Sequence, residues 1–300
     1  MKILNLGSLN IDITYRVPHV VMPGETVKAS RCERFCGGKG LNQSIALAKA
    51  GAQVFHAGCV GNDGEMLLSV LRSTGVDVHF LERVQESSGH AIIQVDENGQ
   101  NSIVIYAGAN ACVTTEYIDQ VIANFDSGDM LLLQNEISNI DYAIKAANRR
   151  GMMVALNPSP FDERLLECEL SSVDYFILNE VEGQQMTGTS TAESQRILEK
   201  LRQMYPRSAV VLTLGTAGAY FSDAAGTIFQ KTFPVKAVDS TGAGDTFTGF
   251  FLASVTQGCD AGQAMCRAAA ASAISVSRRG ASASIPTELE VQKFLNSRRT

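Results

Sequence analysis

Val238-Asp239-Ser240-Thr241-Gly242-Ala243-Gly244-Asp245-Thr246-Phe247 is the most informative stretch of this chain. It joins a strand exit, a glycine loop, one acidic residue and the start of an apolar helix. Phe247, Phe250, Phe251, Leu252 and Val255 follow at roughly helical spacing, so a buried helix is expected to begin near Asp245. The loop Gly242-Ala243-Gly244 carries almost no side chain. Its N–H groups can approach a ligand closely, and the helix start leaves further N–H groups without partners. Donors converging at the positive end of a helix suit a phosphate. A carboxylate is repelled by phosphate, so Asp245 reads better as a base for an attacking hydroxyl than as a phosphate ligand. A glycine turn with Asp245 as N-cap or first-turn acid fits the same residues, and the local sequence leaves both readings open.

Upstream of this loop, short apolar runs end repeatedly in polar or glycine-rich segments. Ala209–Leu214 leads to Gly215-Thr216-Ala217-Gly218, and Tyr175–Leu178 leads to Asn179-Glu180-Val181-Glu182. Met152–Leu156 leads to Asn157-Pro158-Ser159-Pro160, and Met130–Leu133 to Gln134-Asn135-Glu136, with a helix expected over Ile140–Arg150. In a parallel sheet such ends gather along one edge and make a single long site. Residues 2–8 read as a buried strand followed by Asn10 and Asp12. Next comes Cys36-Gly37-Gly38-Lys39-Gly40-Leu41-Asn42-Gln43, a glycine loop feeding an amphipathic helix that ends at Gly51. No Ser or Thr follows Lys39 and the upstream glycine is wrongly spaced, so this is not a Walker A loop. The loop suits close approach of Gly38 to a hydroxyl-rich ligand, with polar contacts from Lys39 and Asn42.

Gln53–Val60 predicts a strand and Asp63–Thr74 a helix, after which the texture changes. Val78–Leu81, His90–Val95 and Ser102–Tyr106 read as short strands, with a hairpin turn at Asn98-Gly99. Together with residues 13–17 and 26–35 they predict a small antiparallel flap. Ala91-Ile92-Ile93 and Ile103-Val104-Ile105 are consecutively apolar, which implies cover on both faces and a lid that doubles as a dimer contact. Beyond the opening loop, Ala261–Ser277 predicts an Ala-rich helix packed on the one from Asp245, then a polar loop from Arg278 to Ser284 and a surface helix over 288–296.

The totals narrow the function classes. The chain has 300 residues, 45% hydrophobic, enough for one large core or two domains. A net charge of −6 argues against a nucleic-acid binder, which needs a basic face. No apolar run reaches the roughly 18 residues of a membrane span, and the start resembles a first strand rather than a signal peptide. Seven cysteines, an odd number without a Cys-x-x-Cys pair, fit reduced thiols in the cytoplasm. Cys32 and Cys36 lack the companions a metal site needs. His19, His56, His79 and His90 fall away from the strand ends, which argues against histidine catalysis.

The two glycine stretches, Gly37-Gly38-Lys39-Gly40-x-Asn42-Gln43 and Asp239 to Phe247, resemble the signatures of the ribokinase (PfkB) family of carbohydrate kinases. Asn10-x-Asp12, Asn157-Pro158, Asn179-Glu180-x-Glu182 and Thr213-Leu214-Gly215-x-x-Gly218 stand in that family's order, so the resemblance covers essentially the whole chain. It implies an α/β fold: a three-layer αβα sandwich with a mostly parallel central sheet and a small β-sheet lid. The lid strands are expected at about 11–35 and 78–106 within a single domain spanning 1–300. It also implies ATP-dependent phosphorylation of a sugar hydroxyl, with ribose or a related pentose or ketohexose favoured. By this resemblance Asp245 is the base, and the N–H groups of Gly242, Ala243, Gly244 and Asp245 form the anion hole. Asn10, Asp12, Gly38, Lys39, Asn42 and Glu136 match the sugar side. Asn179, Glu182, Thr213, Gly215, Thr216 and Gly218 match the nucleotide side, with Glu182 near magnesium. The adenine is expected between apolar parts of 236–238 and 265–273. A potassium ion is expected at Asp239 and Thr241, with Ser275, Arg278, Gly280 and Ser284 across the adjacent loop. The competing expectation pairs Asp239 with Arg278 or Arg279. Two other functions share these residues: a nucleoside kinase of the same family, with Phe35, Tyr106 or Tyr15 as a platform for the base, and a sugar-binding regulator without catalysis.

Overall fold

The structure is a computed structural model that describes residues 1–190 and 193–298. The chain runs β1 (Ile3–Leu6), β2 (Asn10–Arg16), β3 (Arg31–Gly37), α1 (Lys39–Lys49), β4 (Val54–Val60), α2 (Glu65–Ser73), β5 (Asp77–Arg83), β6 (Gly89–Val95), β7 (Asn101–Tyr106), α3 (Thr115–Ile122) and β8 (Met130–Gln134). It continues with α4 (Ile140–Arg150), β9 (Met153–Asn157), β10 (Tyr175–Asn179), α5 (Glu180–Thr187), α6 (Ser194–Met204), β11 (Ala209–Thr213), β12 (Gly218–Asp223) and β13 (Gly226–Lys231). The helices α7 (Ala243–Thr256), α8 (Ala261–Val276) and α9 (Glu288–Asn296) close it.

Nine strands form one sheet in the order β13-β12-β11-β10-β9-β8-β1-β4-β5. From β11 to β5 every pairing is parallel, and β12 and β13 add an antiparallel hairpin at one end. Side chains alternate between the two faces of a strand. Ile3, Met130 and Leu132 therefore meet Leu41 and Ile45 of α1, Phe250 and Phe251 of α7, and the alanines of α8. Leu4, Leu6, Leu131 and Leu133 meet Ile118 of α3, Ile144 of α4 and Ile197 of α6 on the other face. Both faces of the central strands are dry, which is why their sequences read as unbroken apolar runs. The product is the expected αβα sandwich. β1 lies between β4 and β8, so the chain winds away in opposite directions from this point. The crevice at the carboxyl ends of such neighbouring strands is where open α/β sheets hold ligands.

A second sheet, β3-β2-β6-β7, rises from that same edge. It departs from the expected flap in three respects. Val78–Leu81 lies in β5, which pairs parallel with β4 in the large sheet. The unit β4-α2-β5 is an ordinary crossover, and its last strand alternates too much in polarity to be read from the sequence as part of a buried sheet. The flap is also mixed, because β2 and β6 run parallel over Asn10–Arg16 and Gly89–Val95. Each follows a strand of the large sheet, β1 or β5, through a short link, so both leave it in the same direction. Nor are both faces of the flap covered within the chain: Ile103, Val104 and Ile105 are 51%, 65% and 64% exposed.

Candidate active site

Asp245 sits in the first turn of α7 but does not cap it. Gly242 is the N-cap, in the left-handed region at φ 73° with no side-chain cap bond. The Thr246 hydroxyl donates back to the Gly242 carbonyl at 2.9 Å. The N–H groups of Gly244 and Asp245 have no acceptor within the helix, because a helix cannot satisfy its own first donors. The space a side chain would take at Gly244 is open to 4 Å. The buried Asp245 carboxylate instead accepts Asn42 Nδ2 at 3.0 Å and Gln43 Nε2 at 2.9 Å, both from α1. Burial pushes its pKa up, while Lys39 and these two amides work against that.

The glycine loop before α1 owes its composition to packing. Gly38, the N-cap of α1, has φ 93°. A methyl group at Gly37 would overlap the Asp12 carboxylate, and one at Gly40 would overlap Ser8 N and the Gly7 backbone. The loop thus lies directly on the turn between β1 and β2. That contact sets Gly38 against the Asn10 backbone. Glu136, just past β8, accepts the Ser8 hydroxyl and the Lys39 N–H, the latter at 3.0 Å. Burial raises the Glu136 pKa, opposed by the Ser8 bond and Lys39. Burial, and then the nearby Glu136, lifts Asp12 to about 6. Two half-stripped carboxylates side by side call for hydroxyl donors. Asn42 Oδ1 is buried without a partner and can accept one more hydrogen bond.

On the other side of Asp245, Asn179 and Glu182 form a capping box at the start of α5, each bonding the other's N–H at 3.0 Å. The sequence presents this segment as a loop, whereas the box makes it a helix from Glu180 onward. A cavity of ≈ 210 Å³ joins Lys39 and Asp245 to Asn179, Glu182, Thr213 and the Gly242–Gly244 loop. Gly215, Thr216 and Gly218 lie beyond it, in the turn between β11 and β12, where Gly215 and Gly218 have φ 55° and 134°. A larger groove, ≈ 850 Å³, lies away from these residues beside α8 and α9.

The Asp239 carboxylate accepts Thr241 N at 3.0 Å, Thr241 Oγ1 at 2.7 Å and Gly280 N at 2.9 Å, tying the loop before α7 to the loop after α8. Burial opposes its ionisation, but these bonds and Arg279 hold its pKa below the usual range. The expected pairing with Arg278 is not made, because Arg278 turns to Glu290 at 2.5 Å. The Ser275 and Ser284 hydroxyls are buried and bond each other at 2.7 Å. Any cation there would meet their carbonyls rather than their side chains.

Sequence reasoning missed several contributors. Asn110 accepts the Leu9 N–H at 3.0 Å and donates to Asn10 Oδ1 at 2.7 Å. The Gly108-Ala109-Asn110 run after β7, with Gly108 at φ 51°, was the available signal. Ser8 carries no motif. Among the described residues no cluster of three His, Cys, Asp or Glu could hold a metal, and no helix is long and apolar enough to cross a membrane.

The pfkB family carbohydrate kinase model matches residues 1–288. The chain belongs to the pfkB family of carbohydrate kinases. Within that family, it is 36% identical over 298 residues to the ribokinase of Haemophilus influenzae, covering 97% of each chain. It is 31% identical to the deoxyribokinase of Salmonella typhi, covering 99% of both. The structure of the Arabidopsis thaliana ribokinase complexed with ribose and ATP superimposes with a TM-score of 0.85 at 29% identity, covering 98% of each chain. A pfkB kinase transfers a phosphoryl group to a carbohydrate.

Proposed function

We propose that this pfkB kinase transfers the γ-phosphoryl group of ATP to a hydroxyl of ribose or a closely related pentose. The observation that carries the reading is the placement of Asp245: buried, held by two amides, in the first turn of α7 beside the open Gly244, and lining the cavity that reaches Asn179 and Glu182. In this reading Asn10, Asp12, Gly38, Lys39, Asn42 and Glu136 hold the sugar, with Asp12 and Glu136 accepting its hydroxyls. Asp245 takes the proton as the sugar oxygen attacks phosphorus. The N–H groups of Gly242 to Asp245 receive the negative charge that grows on the phosphoryl oxygens. Asn179, Glu182, Thr213, Gly215, Thr216 and Gly218 form the nucleotide side. The open donors at Gly244 fit a phosphate. Magnesium, carried with ATP and largely hydrated, neutralises phosphate charge, and Glu182 is the acidic group beside it. Potassium at the Asp239 loop rests on less, since the carboxylate is already occupied by three donors.

We place the enzyme in the cytoplasm on its seven cysteines. It works as one body with its lid and dimerises through that lid. A nucleoside substrate is disfavoured because, of the three aromatic candidates on the lid, Phe35 and Tyr106 are 51% and 48% exposed and Tyr15 alone is half-buried. The test is ADP release from MgATP with ribose, 2-deoxyribose, fructose and a set of nucleosides, with and without potassium. Ribose turnover that is lost in Asp245→Asn supports the reading. Turnover on a nucleoside alone, or sugar binding without turnover, refutes it.

A further inference from the structure

One of the two amides on Asp245 ends a longer chain of buried amides. Gln43 Nε2 donates to Asp245 Oδ1 at 2.9 Å and to Asn157 Oδ1 at 3.1 Å. Gln43 Oε1 accepts Gln134 Nε2 at 2.8 Å, and that nitrogen also donates to Asn5 Oδ1 at 2.9 Å. Asn5 Nδ2 donates to the Gly40 carbonyl and to Ser44 Oγ, each at 2.8 Å. Asn5, Gln43 and Gln134 are fully buried, and neither glutamine lines the cavity.

The chain has a fixed polarity. A main-chain carbonyl only accepts, so Asn5 must turn its nitrogen to Gly40 and its oxygen to Gln134. Gln134 then offers nitrogen to Asn5 and to Gln43, which leaves the nitrogen of Gln43 facing Asp245. The Ile177 carbonyl acts the same way on Asn157: it accepts Asn157 Nδ2 at 2.7 Å and so turns Asn157 Oδ1 toward Gln43. Two main-chain carbonyls, one in α1 and one in β10, therefore dictate which end of Gln43 meets the carboxylate. A reversed Gln43 would set its oxygen against that carboxylate. The clash would favour protonated Asp245, which cannot accept a proton from the sugar.

We infer that Gln43 is a positioning residue, oriented by Gln134 and Asn157, that keeps a donor on Asp245 and so keeps the base ionised and aimed. The inference rests on the reading of Asp245 as base. The charged groups facing Asp245 are Lys39 from α1, Glu182 from α5 and Glu136 from the loop after β8. None of them is altered by changing the amides.

The experiment compares Gln134→Leu, which touches neither Asp245 nor the cavity, with Gln43→Met and with Asp245→Asn. It uses the panel sugar of highest turnover with MgATP, and pairs pH profiles with thermal melts. Both glutamine variants are expected to lose about tenfold to a hundredfold in kcat with little change in sugar KM, the usual effect of removing a hydrogen bond to a charged group. The acid limb of kcat is expected to move to higher pH. Folded variants that melt earlier but keep the parent kcat and acid limb overturn the inference, since the amides are then only structural. If Asp245→Asn itself keeps the parent kcat, the base reading fails first. An inactive Asp245→Asn beside fully active glutamine variants defeats the positioning role alone. Should one glutamine variant fail to fold, the other reads the same donor from a different residue.

Discussion

Asp12 and Asp245 are both buried acids, yet their surroundings assign them different tasks. Burial pushes the Asp245 pKa up, but the Lys39 cation and two amide donors oppose that and favour the charged form a base needs. Removing its carboxylate in Asp245→Ala is expected to lower kcat on the order of a hundredfold or more while leaving sugar binding measurable by calorimetry. Burial, with Glu136 as a neighbour, lifts the Asp12 pKa from 3.8 to about 6. Between those values the folded chain binds more protons than the unfolded one, so this group favours the fold at low pH and the advantage fades as pH rises through 6. The same titration affects the substrate. A neutral Asp12 is a poorer acceptor for sugar hydroxyls, so the sugar KM is expected to rise as pH falls through about 6. In Asp12→Asn that dependence should flatten. A KM limb that is unchanged in Asp12→Asn would assign the titration to another group. Asp12, Lys39 and Asp245 were legible as polar residues at strand or helix ends. The family resemblance groups Glu136 with Asp12, but the burial that shifts Asp12 and Asp245 was not legible, because Glu136 lies more than a hundred positions from Asp12 in the chain.

At the scale of elements, glycine has two distinct uses. At Gly242 and Gly38 the backbone takes positive φ at a helix start, and the sequence pattern shows this directly. At Gly37 and Gly40 the reason is close packing of one loop on another, which no local pattern reveals. Gly40→Ala is expected to destabilise the fold by about 2 kcal/mol or more, since the obstacle is backbone rather than a movable side chain. Sugar affinity should fall with it as Gly38, Lys39 and Asn42 shift. Urea unfolding and sugar titration of the same preparation check both. A variant as stable as the parent would mean that the β1–β2 turn can give way. Elements with strong periodicity, such as α4 and α8, fall where their sequences predict. β5 forms where a strand is expected but joins the large sheet instead of the flap, and α5 escapes the sequence because it begins in a capping box that resembles a polar loop.

Across the whole molecule, the lid is the unfinished part. β7 is an edge strand, exposed on both faces: Val104 and Tyr106 on one, with Ile92 of β6 beside Val104, and Ile103 and Ile105 on the other, while the exposed Phe35 lies on the opposite edge strand β3. Apolar residues exposed together along a free edge strand mark a protein contact. Light scattering at micromolar concentration is expected to give twice the chain mass of 32.1 kDa, and Val104→Lys to return it to a monomer with its melting temperature little changed. A parent chain that is already monomeric would remove the lid contact. The sequence by itself determined the alternation of helix and strand, the two glycine loops and the acid at the head of α7, because periodicity, φ preference and helix-end chemistry act over a few neighbouring residues. Only the tertiary structure decided that β5 joins the large sheet, that Glu136 sits against Ser8 and Lys39, and that a line of buried amides runs from Asn5 to Asp245. Those outcomes depend on which distant segments share one sheet edge, and burial and hydrogen-bond polarity are set by that meeting rather than by any stretch of chain alone.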